Sequence, residues 1–162
     1  MGIIGYKAFD KGLINRYGTK FEVGKIYIAE GAIKFGNQGN GFHLCKNMED
    51  TFRYFDAMES EIDICKVKGS GDAIEYYDEY YGYYDMFAVS ELEILKKLSR
   101  EEIIDYALKI NDIRVKRFLS GYKLTDEELS MFLTKYANNI DVKKVIDYYQ
   151  KKELDAFTRG GK

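Results

Sequence analysis

The sequence predicts an α+β chain: a small mixed or antiparallel sheet with one helix over residues 1–97, then a helical subdomain of about four short helices over 98–162. Three observations predict it. The chain has no proline, so glycine, asparagine and aspartate must make its turns, and all its glycines except Gly121, Gly160 and Gly161 lie before residue 83. Short runs in the first part alternate or carry β-branched and aromatic residues. Two capping boxes, Ser99-Arg-Glu-Glu102 and Thr125-Asp-Glu-Glu128, mark helix starts in the second part.

The elements follow in order. Ile3–Phe9 reads as a first strand. Lys20–Ala29, KFEVGKIYIA, reads as a strand or hairpin, and Gly36–Gly41 as a loop. Phe42–Cys45 is a short apolar strand. Asn47 then stands at a helix N-cap, with Glu49 and Asp50 in the first turn, where the helix dipole favours acids. That helix is expected over Met48–Met58, with Met48, Phe52 and Phe55 on one side. Ile62–Val67 reads as a strand, Gly69–Asp72 as a turn and Met86–Leu95 as another strand, with Met86, Ala88, Leu92 and Ile94 on one face. In the second part the Ser99 box opens a helix to about Lys109. Asn111 or Asp112 caps a helix to Leu119, the Thr125 box opens one to Tyr136, and Asp141 caps a last one to about Lys152. The tail Asp155–Lys162 is expected to fray. Ile103–Tyr106 and Val145–Tyr148 match at an offset of 42, which suggests two helical hairpins.

Composition excludes several classes. At 46% hydrophobic and 15% aromatic the chain can bury a core, so global disorder is excluded. No apolar run approaches the ~18 residues that cross a bilayer, and the first residues carry neither a secretory pattern nor a myristoylation site. A cytoplasmic protein with no membrane partner is expected. Cys45 and Cys65 read as buried thiols, and one histidine with two cysteines gives no metal-ligand spacing. The net charge of −2 is unevenly spread: residues 1–48 carry +4, residues 49–93 carry −10 and residues 94–162 carry +4. The acidic block bears on partners.

Its centre is EYYDEYYGYYD: Glu75, Tyr76, Tyr77, Asp78, Glu79, Tyr80, Tyr81, Gly82, Tyr83, Tyr84 and Asp85. Tyrosine offers rigid, amphipathic contact area at low entropic cost. In an acidic field such a surface suits a basic partner, with carboxylates in phosphate places and rings in base-stacking places. The expected partner is a protein, a basic nucleic-acid-binding enzyme. Direct binding of nucleic acid by this segment is excluded by charge. A tyrosine patch also fits a homodimer contact. Two other constellations carry weaker chemical signals. His43 and Cys45 share a strand face, without a third group to orient a dyad. Glu91 and Glu93 put two carboxylates on one strand face, a spacing that serves acid–base work or a solvent-facing edge. The glycines of GNQGNG match no phosphate-loop fingerprint.

The order GYKAFDKGL, KFEVGKIY, GFHLCKNMEDTFRYF and ICKVKGSGDA, over residues 5 to about 95, resembles an uncharacterised family of small phage and prophage proteins. The resemblance implies a phage-encoded accessory protein in the host bacterial cytoplasm. With the charge block, the expected function is binding and inhibition of a host defence nuclease, in the manner of an anti-CRISPR protein, with no cofactor and without catalysis. A third expectation is a structural or regulatory phage protein. GFHLCKNMEDTFRYF is also similar to the strand-turn-helix of ADP-ribosyltransferase-like folds. That likeness implies a transferase or an NAD-binding relict using His43, Glu91 and Glu93. The first strand, GYKAF, departs from that pattern because it lacks the His or Arg that holds NAD in those enzymes.

Overall fold

The computed structural model describes residues 2–35, 39–53, 55–77 and 85–151. The chain divides into two compact units, Met1–Phe55 with Ser60–Leu98, and Asp56–Glu59 with Ser99–Lys162. The architecture is α+β, with a five-stranded antiparallel sheet followed by helices.

In the first unit the strands are β1 (Ile3–Asp10), β2 (Ile26–Ile28), β3 (Phe42–Cys45), β4 (Ile62–Tyr77) and β5 (Asp85–Lys97). The sheet order is β2-β5-β3-β1-β4, and β4 pairs with β5 as well. Four strands therefore close a ring, β1-β3-β5-β4, and β2 extends the edge of β5 beyond β3. Closure removes the exposed hydrogen-bonding edges of those strands wherever they are paired. Phe9, Leu44, Cys65, Val67, Val89, Leu92 and Ile94 from the four strands pack with Leu13 and Phe21 into one core. Leu44 reaches both Gly5 and Gly69, where any side chain would meet it. The closeness of the strands there is why glycine occupies both positions.

Three expectations for the first unit are corrected. Gly69–Asp72 is a bulge inside a long strand: the β4–β5 register shifts between Ser70 and Ala73, and Gly71 has φ 76°. The backbone N–H of Asp72 donates to Ser90 Oγ at 2.8 Å, which fixes the extra residue. A bulge and a turn call for the same residue, a glycine at positive φ. The helix expected over Met48–Met58 is a 3-10 turn, Met48–Arg53. Beyond it the Asp56 carboxylate accepts from the N–H groups of Met58 and Glu59, a local turn that competes with helix. Lys20–Ala29 yields only the three-residue β2, because Gly24 (φ 87°) turns the chain at 22–25.

Asp63 holds the first turn of the chain. Its Oδ2 accepts from the N–H of Gly12 at 2.7 Å and of Leu13 at 3.2 Å, and Lys97 Nζ lies 3.4 Å from Oδ1. Leu13 is the one non-glycine described residue at positive φ, 61°, and its side chain is in the core. Asp63→Ala should leave two N–H groups unsatisfied and lower stability by about 2–3 kcal/mol in urea unfolding. A loss under about 0.5 kcal/mol would show that Leu13 holds the turn without the carboxylate.

The second unit contains α1 (Arg100–Lys109), α2 (Asp112–Gly121), α3 (Asp126–Lys135) and α4 (Ile140–Val145), the last running on into a π-helical turn, Ile146–Gln150. Both capping boxes form. Asn111 caps α2, and Asn139 rather than Asp141 caps α4. Ile103, Ala107, Val115, Phe118, Leu119, Phe132, Val142 and Ile146 are buried. The Gln150 amide ties the unit together. It donates to the carbonyls of Leu119 (2.6 Å) and Tyr122 (2.9 Å) and accepts from the Leu124 N–H (3.0 Å). No helix among the described residues is long and apolar enough to cross a membrane.

Candidate functional site

The first unit contains a cavity of about 620 Å³, within the ~300–1,000 Å³ of small-molecule sites. Its wall is assembled from β1, the loop after β1, the loop before β3, β3 itself, the 3-10 turn and the facing ends of β4 and β5. Three cations line it, Lys7, Arg16 and Arg53, and no aspartate or glutamate does among the described residues. That is unusual in a chain with more acids than bases.

Lys7 sits on β1, two residues before the fully buried Phe9, so strand alternation turns it toward the same side. Its Nζ donates to the carbonyl of His43 at 2.7 Å and lies 5.8 Å from the Phe9 ring centroid. Burial lowers its pKa to about 8, with the Cys45 thiol acting in the opposite sense. At neutral pH Lys7 is still mostly an ammonium, with two of its three donor hydrogens beyond the His43 carbonyl.

An aromatic wall stands opposite in character. Phe35 and His43 stack with ring centroids 5.0 Å apart at 7°, and Tyr76 leans on Phe35 at 4.9 Å and 39°. Burial, then Lys7 and Arg16, push the His43 pKa down to about 4, so the imidazole is neutral at physiological pH. It is then an aromatic plate rather than a cation, and a weak base. Tyr6 is half-buried, and burial with the nearby Glu49 raises its phenol. Tyr17 is 77% exposed and sits beside Arg16 in a turn whose N–H groups donate to Asn15 Oδ1.

The predicted residues fall in different places. His43 and Cys45 do share a face and both line the cavity. Cys45 and Cys65 are buried free thiols, and burial pushes Cys65 up to about 12, which makes it inert. Glu91 and Glu93 pair with Ile28 and Ile26 on β2, and Glu91 accepts from the Ser70 hydroxyl at 3.2 Å. Neither lines the cavity that holds His43. Of the acidic tyrosine segment, Glu75 is exposed, Tyr76 is half-buried against Cys45 and Met86, and the backbones of Tyr77 and Asp85 pair across β4–β5. Asp78, Glu79, Tyr80, Tyr81, Tyr83 and Tyr84 lie outside the described residues. Lys7, Arg16, Arg53 and Phe35 were not singled out from sequence. The one available signal was Lys7, a lysine at the inward parity of an otherwise apolar strand.

The fold and cavity define a small α+β domain built on a closed antiparallel sheet with a cation-lined recess. The chain belongs to the family DUF7666, described as a domain of unknown function, whose model matches residues 3–106. The match takes in all five strands, every cavity residue and most of α1. No curated protein and no solved structure matches the chain.

Proposed function

We propose that the first unit is a binding module for a small anionic molecule, and that the cavity beside Lys7, Arg16 and Arg53 is its site. One observation carries the reading: among the described residues, three cations and no carboxylate line a recess in an acidic protein. Lys7 and Arg16 both act on His43 within the recess, so the wall carries a positive local potential, which a bound anion would lower. Catalysis is not part of this reading. His43 is a weak base, and the carboxylates that would partner it, Glu91 and Glu93, lie off the cavity wall.

The test is thermal unfolding with phosphate, citrate or chloride at constant ionic strength. A ligand at about 100 times its Kd adds about 2.7 kcal/mol, several degrees for a unit of this size. Phosphate or citrate should raise Tm above the chloride control, and Lys7→Met should abolish the rise. Equal Tm in all three salts would remove the proposal.

A second reading keeps the acidic tyrosine segment as a contact for a basic host enzyme, the chain being a phage-encoded accessory protein that inhibits a defence nuclease. It is favoured by one observation: residues 71–75 of β4, the approach to that segment, are exposed, Glu75 among them. A pull-down from host lysate at low and high salt decides it, with Glu75, Asp78, Glu79 and Asp85 neutralised in a second bait. Capture of the same proteins by both baits would sink it.

A further inference from the structure

We infer that the anion taken by this cavity is a free nucleotide, a nucleoside phosphate whose base meets the aromatic wall and whose phosphate sits among Lys7, Arg16 and Arg53. The inference rests on the anion-binding reading and narrows it. Two features of the wall select the ligand. The first is its division of labour. Arginines and a lysine are the side chains that hold phosphate, arginine by its planar fork and lysine as a point charge. Phe35, His43 and Tyr76 form a continuous run of rings, with Tyr6 and Tyr17 also on the wall. Base–aromatic stacking tolerates any base because every base has a π-face. A neutral His43 extends that run without a charge.

The second feature is size and field. About 620 Å³ is far more than a phosphate ion fills, and the described remainder of the wall is rich in rings and adds no further charged side chain. The ligand should therefore carry a flat apolar part. The same field argues for a free nucleotide over a nucleic-acid strand. Residues 49–93 carry −10 in sum, so the remaining phosphates of a polyanion would be repelled by the net field of that segment. One or two phosphates fit inside the local positive patch and leave nothing outside it.

Isothermal titration of the full chain at pH 7 with ADP, adenosine, ribose 5-phosphate and a twelve-nucleotide single strand tests this. ADP should bind at least tenfold more tightly than adenosine and ribose 5-phosphate. Lys7→Met and Arg53→Gln should each weaken ADP at least tenfold, with circular dichroism confirming that both variants are folded. If ribose 5-phosphate binds as tightly as ADP, the nucleotide inference fails while anion binding stands. Tighter binding of the oligonucleotide than of ADP also overturns it. ADP binding that neither substitution weakens places the site elsewhere and overturns it. If none of the phosphate ligands binds and phosphate and citrate leave Tm unchanged, both readings fall.

Discussion

Lys7→Met should make the protein more stable at neutral pH while abolishing anion binding. The ordinary lysine pKa is 10.5 and burial lowers Lys7 to about 8. That gap corresponds to about 3 kcal/mol of destabilisation when the ammonium is forced to persist in the fold. Methionine keeps the apolar stem beside Phe9 and removes the charge. It also loses the hydrogen bond to the His43 carbonyl, worth about 1 kcal/mol. A net gain of about 2 kcal/mol is expected.

The pH dependence identifies the cause. The folded pKa lies below the unfolded one, so the unfolded chain binds more protons between pH 8 and 10.5. Over that window the Lys7 penalty, full below pH 8, fades as pH rises. The advantage of Lys7→Met should therefore be largest below pH 8 and gone above about 10.5. Besides burial, Cys45 acts on Lys7 and partly offsets it, while Lys7 and Arg16 in turn depress the pKa of His43. Urea unfolding of both proteins from pH 6 to 10.5 measures the difference. A constant difference would mean a packing effect. A loss of stability would mean the ammonium is structural and the functional argument for it is wrong. A charge retained against stability at a cavity wall is the pattern expected of a site.

Sequence reasoning reached the parts of the fold that are locally encoded. Ser99, Thr125 and Asn111 each fix a helix start through one side chain and the backbone N–H three residues on, so two caps could be read directly and a third narrowed to Asn111 or Asp112. Strand parity was legible only in part: Leu92 and Ile94 share the core as expected, but with Val89 and Phe87, whereas Met86 packs with Cys45 and Tyr76 in a separate cluster, because the β4–β5 register shifts near Gly71 and breaks the alternation. Reading failed where one residue type serves two structures. Gly71 at positive φ fits a turn or a bulge, and only the pairing of β4 with β5 decides between them. Met48, Phe52 and Phe55 had helical spacing, yet Glu49 and Asp50, expected on the solvent side, are buried as completely as Met48, so the amphipathic pattern read from sequence does not match the burial. The cavity was out of reach for a topological reason. Its described wall comes from stretches far apart in sequence, around Lys7, Arg16, Phe21, Phe35, His43, Arg53, Tyr76 and Met86, brought together only because β3 inserts between β1 and β5.

Gly5→Ala should be the most damaging methyl group that could be added to this chain. Gly5 has ordinary extended backbone and pairs with Val67, so conformational freedom is not the reason for glycine. Space is the reason. A Cβ there would stand 2.4 Å from the Cys45 carbonyl oxygen and 2.7 Å from Leu44 Cδ1. The carbonyl is backbone of β3 and cannot rotate away as a side-chain end could. The adjacent pair, Tyr6 with Cys45, is where β1 meets β3 and the ring of strands closes. Relief of the clash must push β3 off β1, and His43 and Cys45 go with it. Overpacking a core costs about 1–3 kcal/mol, and a backbone clash at a closure point belongs at or above the top of that range. Gly18→Ala is the control. Gly18 has φ 85° with nothing within 4 Å of an added Cβ, so only backbone strain is incurred, about 1–2 kcal/mol. Urea unfolding should rank Gly5→Ala well below Gly18→Ala, and folded Gly5→Ala protein should bind ADP weakly if at all. Equal losses would show that the strands separate without penalty and that ring closure does not shape the cavity.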